Sequence, residues 1–408
     1  MKPANLGFLL VSALAAVAVA SAAVAAAPKL AFVRGAPAQG TSTEMSVPRV
    51  AHKKTPTPVK AVYMTQCAVG TPSLRASLVD LLERTELNSV VIDIKDYTGR
   101  LAFTPEDPDL LPAVSDACGA RDMEKFIAEL HKKDIYVIGR ITVFQDPFYT
   151  QRHPELAVKR LSDKSAVWKD YKGLSFIDVN AEPFWNYIVK ISKASYEVGF
   201  DELNYDYIRF PSDGNMKDTY YSWGSGRPKA EALERFYKYL SEELEPSGVV
   251  LSADLFGMVT TNYDDLNIGQ VLERALPYFD FIDPMVYPSH YPSGFHGYKN
   301  VNEHPYDIVY FSMSEAVRRT IATTTQIASF EYNRIGTTTP ALYAKPSYPA
   351  SKMRPWLQDF DYPVPYTPAM VRAQIKATED VGLDSYLFWD PANKYSSLRQ
   401  VLQSDTVQ

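Results

Sequence analysis

The acids of chemical interest sit at the ends of short apolar runs. Asp93 and Asp96 close one run, Asp206 another, then Asp254, Asp359 and Asp390, while Asp283 lies inside one. Gathering so many carboxylates is costly unless they pair with cations or perform work. Lys95, Arg140 and Arg209 occupy comparable positions and supply the cations. Cleavage of a glycosidic bond needs two carboxyl groups in different states. One stays protonated and donates to the leaving oxygen. The other is ionised and attacks the sugar or activates water. Aromatic rings stack on sugar faces, and Asn, Gln, Arg and His bind hydroxyls. Asn204, Tyr287, His290, Trp356, Gln358 and Trp389 stand beside the acids and suit that task. The six histidines show no ligand spacing, so no metal site is expected.

These side chains need a scaffold that brings strand ends together. The central stretch is 199–211, GFDELNYDYIRFP. Read as a strand, it directs Asn204 and Asp206 to one face and Leu203, Tyr205 and Tyr207 to the other. Gly199 ends the helix before it, and Pro211 stops the strand. Strand patterns recur at 59–65, 89–94, 135–143, 200–211, 249–254, 279–287, 353–360 and 385–389. Helical patterns fall between them, at 74–83, 122–133, 183–198, 230–245, 268–275, 305–322 and 368–381, with Asp122 as an expected cap. Eight strands alternating with helices predict an α/β fold, a (β/α)8 TIM barrel with enlarged βα loops, over 59–402. Its long loops are 145–180, 212–227 and 288–304, and 323–352 is irregular. An open doubly wound sheet would want a Gly-rich phosphate turn after the first strand, and none follows Thr65. No cofactor is expected.

The N-terminus carries Lys2 and then an Ala- and Val-rich apolar run over 6–27 with Ala-x-Ala cleavage sites. This pattern is that of a signal peptide over 1–27, with an uncleaved anchor as the alternative. Residues 28–58, rich in Ala, Pro, Thr, Ser and Lys, read as a disordered linker. The expected destination is secretion or the cell envelope, with membrane contact only through that first segment. There the two cysteines, Cys67 and Cys118, meet an oxidising compartment; both fall in expected loops after neighbouring strands, so a disulfide between them is expected, with two unlinked thiols as the alternative. The net charge of −6 argues against a nucleic-acid partner. The 408 residues hold 27 Tyr, 19 Phe and 5 Trp, which serve cores and sugar platforms alike, so composition alone selects neither.

Five motifs in order carry a family resemblance: VVIDIKDYTGRL at 90–101, the central stretch, SADLFG at 252–257, FIDPMVYPSHY at 281–291 and RPWLQDF at 354–360. The chain resembles the DUF4015 family, a TIM-barrel, glycosidase-like domain, over about 59–400. The resemblance implies a glycoside hydrolase whose partner is an oligo- or polysaccharide. Carried over motif by motif, it marks Asp206, Arg209, Asp254, Asp283, Tyr287, His290, Trp356, Gln358 and Asp359. Amylase-like barrels hold their acids after strands four, five and seven, which implies Asp206, Asp254 and Asp359 as catalytic. They commonly use Glu after strand five, where this chain has Asp254. Barrels of the α-galactosidase type imply Asp206 with Asp283. Asp93, Lys95, Arg140, Asn204 and Trp389 complete the expected substrate-binding set. Structural alternatives stand beside these roles: an Asp206–Arg209 ion pair, Asp254 as a cap for the loop at Gly257, and a barrel that binds sugar without cleaving it.

Overall fold

The computed structural model describes residues 51–224 and 226–405. The expected signal segment, and the linker up to residue 50, lie outside the described residues. Eight parallel strands close into a ring: β1 (Lys60–Met64), β2 (Ser89–Lys95), β3 (Tyr136–Thr142), β4 (Glu202–Asp206), β5 (Val250–Phe256), β6 (Phe281–Met285), β7 (Trp356–Gln358) and β8 (Tyr386–Trp389). Each pairs with its neighbours in chain order, and β8 returns to β1. This is the TIM barrel that the alternation of patterns predicts.

The helices that alternate with the strands are α1 (Pro72–Glu83), α2 (Met123–Lys132), α3 (Glu182–Val198), α4 (Lys229–Leu244), α5 (Leu272–Ala275), α6 (Pro305–Ile321), α7 (Pro368–Asp380) and α8 (Ser396–Asp405), with short helices Gln66–Gly70 and Pro147–Arg152 in the connections after β1 and β3. Period-two alternation divides the strand side chains. Val62 and Met64 join the apolar layer between strands and helices, while Ala61 and Tyr63 join a separate cluster inside the ring with Tyr136, Ile138 and Trp356. On β4, Leu203 and Tyr205 face the helices, and the Tyr205 hydroxyl meets Ser192 of α3 at 2.8 Å. Asn204 and Asp206 face inward.

Three expectations need correction. The helix expected at 268–275 is one turn, because Leu266 and Asn267 adopt positive φ and Gly269 follows in the same region, so no helix begins until Leu272. Asp122 does not cap α2; its carboxylate takes the Arg75 guanidinium at 2.9 and 3.0 Å. Tyr207 does not continue the outward row, since φ +50° just past β4 turns it toward the mouth of the ring. Residues 51–58 pack against the barrel: the Lys53 amide donates to Asp201 at 2.7 Å, and His52 stacks on Tyr196. Cys67 and Cys118 form a disulfide that joins the β1–α1 connection to the long loop after β2. Region 323–352 contains a small antiparallel sheet of three short strands.

Candidate active site

The C-terminal ends of the strands frame a cavity of about 320 Å³. Asp206 from the end of β4, Asp254 from β5 and Arg140 from β3 line it, under a wall of Tyr287, Trp356 and Trp389. Strand register explains the convergence. Arg140 pairs with Asn204 across β3 and β4, Asn204 with Ser252 across β4 and β5, and Asp254 with Asp283 across β5 and β6. Inward residues one strand apart therefore stand side by side.

Arg140 organises the charges. Its guanidinium donates to Asp93 at 2.7 Å and to Asp206, and its Nε lies 3.7 Å from Asp254 Oδ2. The Tyr63 hydroxyl donates to the other oxygen of Asp93. Asp206 also accepts the backbone amide of Tyr207, so all its polar partners are donors. Asp254 is surrounded differently. Its Oδ1 accepts Trp356 Nε1 at 2.7 Å and Asn204 Nδ2 at 2.9 Å. Burial, then the nearby Asp206 and Asp283 carboxylates, push its pKa well above the usual carboxylate range. Its Oδ2 lacks those two donors and has only Arg140 Nε near it, at 3.7 Å.

Asp283 lies deeper and does not line the cavity. Arg354 clamps it at 2.9 Å through both Nε and Nη2, and also holds Glu202 at 2.5 and 3.1 Å. Ser252 donates to Glu202 at 2.6 Å, and Asn204 bridges Asp283 to Asp254. This is a fully buried ionic floor beneath Asp206 and Asp254. Burial raises Asp283 to about 6 despite the Arg354 charge, and raises Asp93 to about 6 despite Arg140.

The remaining sequence-selected residues divide by place. Tyr287, His290, Trp356, Trp389 and Arg209 line the cavity. Arg209 does not pair with Asp206. It donates to Phe210 O at 3.1 Å and Ser212 at 3.2 Å, and lies over the Tyr207 and Phe256 rings at 4.7 and 4.8 Å. Burial lowers the His290 pKa, favouring the neutral ring. Tyr287, Phe360 and Trp389 pack edge-on and tilted, at 4.9 to 5.7 Å between centroids. Asp93 and Asn204 support the cavity from behind. Lys95 is sealed away, with Asp146 at 2.9 Å and Thr142 O at 2.6 Å. Gln358 donates to Phe360 O and Tyr362 O, both at 3.0 Å. Asp359 turns from the cavity, accepts the Leu398 amide at 3.2 Å and lines a neighbouring cleft; burial raises its pKa to about 7. Asp254 does not cap the Gly257 loop, whose Phe256 amide donates to Gln270 instead.

Several lining residues escape the sequence reading: Tyr63, Tyr207, Phe256, Met258, Lys172 and Asp213. Tyr63 was accessible through period two along β1. Lys172 and Asp213 come from long loops with no periodic signal. Gly257 is required by space, since a Cβ there would stand 2.5 Å from Met285 O and from the Tyr291 hydroxyl. Among the described residues, no His, Cys, Asp and Glu cluster has metal-binding form.

Solved structures similar to this chain include glycoside hydrolase domains. The glycoside hydrolase domain of PgaB (BpsB) from Bordetella bronchiseptica shares 14% identity, covering 85% of this chain and 99% of its own, at TM-score 0.57. Alpha-L-fucosidase isoenzyme 2 from Paenibacillus thiaminolyticus shares 11%, covering 86% of this chain and 49% of its own, at 0.56. Both are likenesses of fold. A hypothetical protein from Ruminiclostridium thermocellum shares 36% identity over 47% of this chain and 96% of its own, at TM-score 0.43. No curated protein matches the chain. The model of DUF4015, described as "Putative glycosyl hydrolase domain", matches residues 61–395, from β1 past β8. The chain therefore belongs to the DUF4015 glycosyl hydrolase family.

Proposed function

We propose that the protein is an exported glycosidase that cleaves O-glycosidic bonds in a polysaccharide through Asp206 and Asp254. The carrying observation is that these two carboxyls share one cavity and one guanidinium but have contrasting surroundings. Asp254, its pKa raised by burial and like charge, donates its proton to the leaving glycosidic oxygen. Asp206, aligned by Arg140 and the Tyr207 amide, acts as the carboxylate that attacks the sugar or activates water. Arg140 also stabilises the negative charge of the site in the resting enzyme. Tyr287, Trp356 and Trp389 give the sugar an aromatic wall, and Arg209 and His290 offer polar contacts. Asp359 takes no direct part in this scheme. Export follows from the apolar run at 6–27.

A glycan array run beside a reducing-sugar assay tests this reading. Binding accompanied by new reducing ends is the expected result. Binding without product by the wild-type protein rejects catalysis and favours a sugar-binding barrel.

A further inference from the structure

Among the described residues, the charges of the cavity that holds Asp206 and Asp254 are offset except at Arg209. Arg140 is shared among Asp93, Asp206 and Asp254. On the rim, Lys172 and Asp213 are both exposed and of opposite sign. Arg209 lines the same cavity, is 6% exposed and forms no ion pair with any described residue. A guanidinium keeps its charge at any physiological pH, and a buried charge without a counter-ion is costly. The Tyr207 and Phe256 rings, 4.7 and 4.8 Å from its centre, attract the cation but offer it no carboxylate. Its Nη1 donates to Phe210 O and Ser212 Oγ. Its Nε and Nη2 donate to nothing among the described residues, and neither is sealed from solvent. Asp213 approaches only the neighbouring Ser212 hydroxyl, at 3.5 Å. The free nitrogens form one edge of the guanidinium, and two other arginines show what that edge does in this protein. Arg354 grips Asp283 by Nε and Nη2 at 2.9 Å each, and Arg319 grips Glu273 by the same pair at 2.9 and 2.5 Å.

We propose that Arg209 takes the carboxylate of an acidic sugar on its Nε–Nη2 edge, so that the substrate is a uronate-containing polysaccharide. The inference rests on the glycosidase reading and deepens it to the charge of the sugar. Two parallel N–H···O bonds from this edge match the two oxygens of a carboxylate, as they do at Asp283 and Glu273. Arg209 stands three residues beyond Asp206 on one segment, and Tyr207 between them donates its amide to Asp206. The carboxylate that Arg209 holds therefore belongs to a sugar inside the cavity, not to a distant unit of the chain. A neutral sugar would meet the same edge with hydroxyls and leave the guanidinium charge without an anion. Arg140 does not compete for this part, since Asp93 and Asp206 already occupy its fork.

The test uses oligosaccharides of galacturonan, alginate and hyaluronan, each beside the same oligosaccharide with its carboxyl groups reduced to hydroxymethyl. Binding is measured by calorimetry and kcat/KM by release of reducing ends, on the wild type, Arg209→Lys and Arg209→Met. In the wild type, at least one carboxylate form should bind and turn over about 10- to 100-fold better than its reduced partner, the worth of a charge-assisted hydrogen bond. That ratio should fall toward unity in Arg209→Met, which keeps an unbranched stem without the charge. It should lie between the two in Arg209→Lys, which keeps the charge without the fork. The wild-type comparison needs no variant to fold. Turnover with no preference for the carboxylate form overturns the assignment and leaves the glycosidase reading intact. A preference that folded Arg209→Met retains also overturns it, as does a loss in Arg209→Met that is equal for both forms. Carboxylate-dependent binding that Arg209→Met abolishes, with no turnover of any member, supports the assignment and overturns the glycosidase reading. Absence of binding across the whole panel overturns the assignment.

Discussion

Arg140 touches three carboxylates, and the chemistry of the site depends on how it divides its charge among them. Lys keeps the charge but loses the fork that reaches Asp93 and Asp206 together. Arg140→Lys should therefore lower kcat by about 10- to 100-fold, the worth of about 1.5–3 kcal/mol for one charge-assisted bond, with little change in melting temperature. The protonated state of Asp254 has a signature in pH dependence. Because Asp254 has a raised pKa, it keeps its proton to higher pH than an ordinary carboxyl, and kcat/KM should fall on the alkaline side as that proton leaves. Asp254→Asn should erase the alkaline limb. It should also spare aryl glycosides with good leaving groups far more than natural linkages, because such groups depart without a proton. An unchanged alkaline limb in Asp254→Asn would assign the proton elsewhere. The site was legible in part from single residues: Asp206 and Asp254 stand out because each ends an apolar run on the inner register. The true cation of Asp206 was not legible, since Arg140 and Asp206 are 66 positions apart and meet only through strand pairing.

At the scale of elements, the barrel floor is an ionic layer where an apolar one would be usual. Arg354 sits between Glu202 of β4 and Asp283 of β6, and all three are fully buried. Removing the cation leaves two carboxylates without it, so Arg354→Met should destabilise the fold by about 3–5 kcal/mol, measured by denaturant unfolding at neutral pH. A change near zero would mean that the layer contributes no net stability. The sequence marks Asp283 as a substrate contact through the FIDPMVYPSHY motif and the family resemblance, although it lies inside its apolar run. Its real place follows from register: it pairs with Asp254 on the neighbouring strand, yet Arg354, just ahead of β7, draws its carboxylate into the floor. The Cys67–Cys118 disulfide acts on another element, tying the short helix Gln66–Gly70 to the loop after β2 across 51 residues of sequence. The loop-entropy estimate for such a closure is about 4 kcal/mol, so reduction should lower the melting temperature of the protein. Equal melting of reduced and oxidised protein would show that the bond does not stabilise the fold. The order of the strands and the bounds of most helices are readable because most helices are amphipathic and strands such as β2 are near-continuous apolar runs, while β4 shows only as alternation. The shortened α5 was not, because its start is set by positive-φ residues that leave no hydrophobic signature.

For the whole molecule, eight weak strand signals closed one ring and put acids from distant segments at one end of it. The long loops are visible in the sequence only as interruptions of period, so the places of Lys172 and Asp213 in the cavity wall emerge only from the folded chain. Among the described residues, no helix is long and apolar enough to cross a membrane. Family membership, fold and the paired carboxyls all bear on one claim: Asp206 and Asp254 are a working acid and carboxylate. Release of reducing ends from a panel of polysaccharides, compared among wild type, Asp206→Asn and Asp254→Asn with folding checked by circular dichroism, measures that claim directly. The account predicts release by the wild type and near-complete loss in Asp206→Asn with native spectra; undiminished release by folded Asp206→Asn would contradict it.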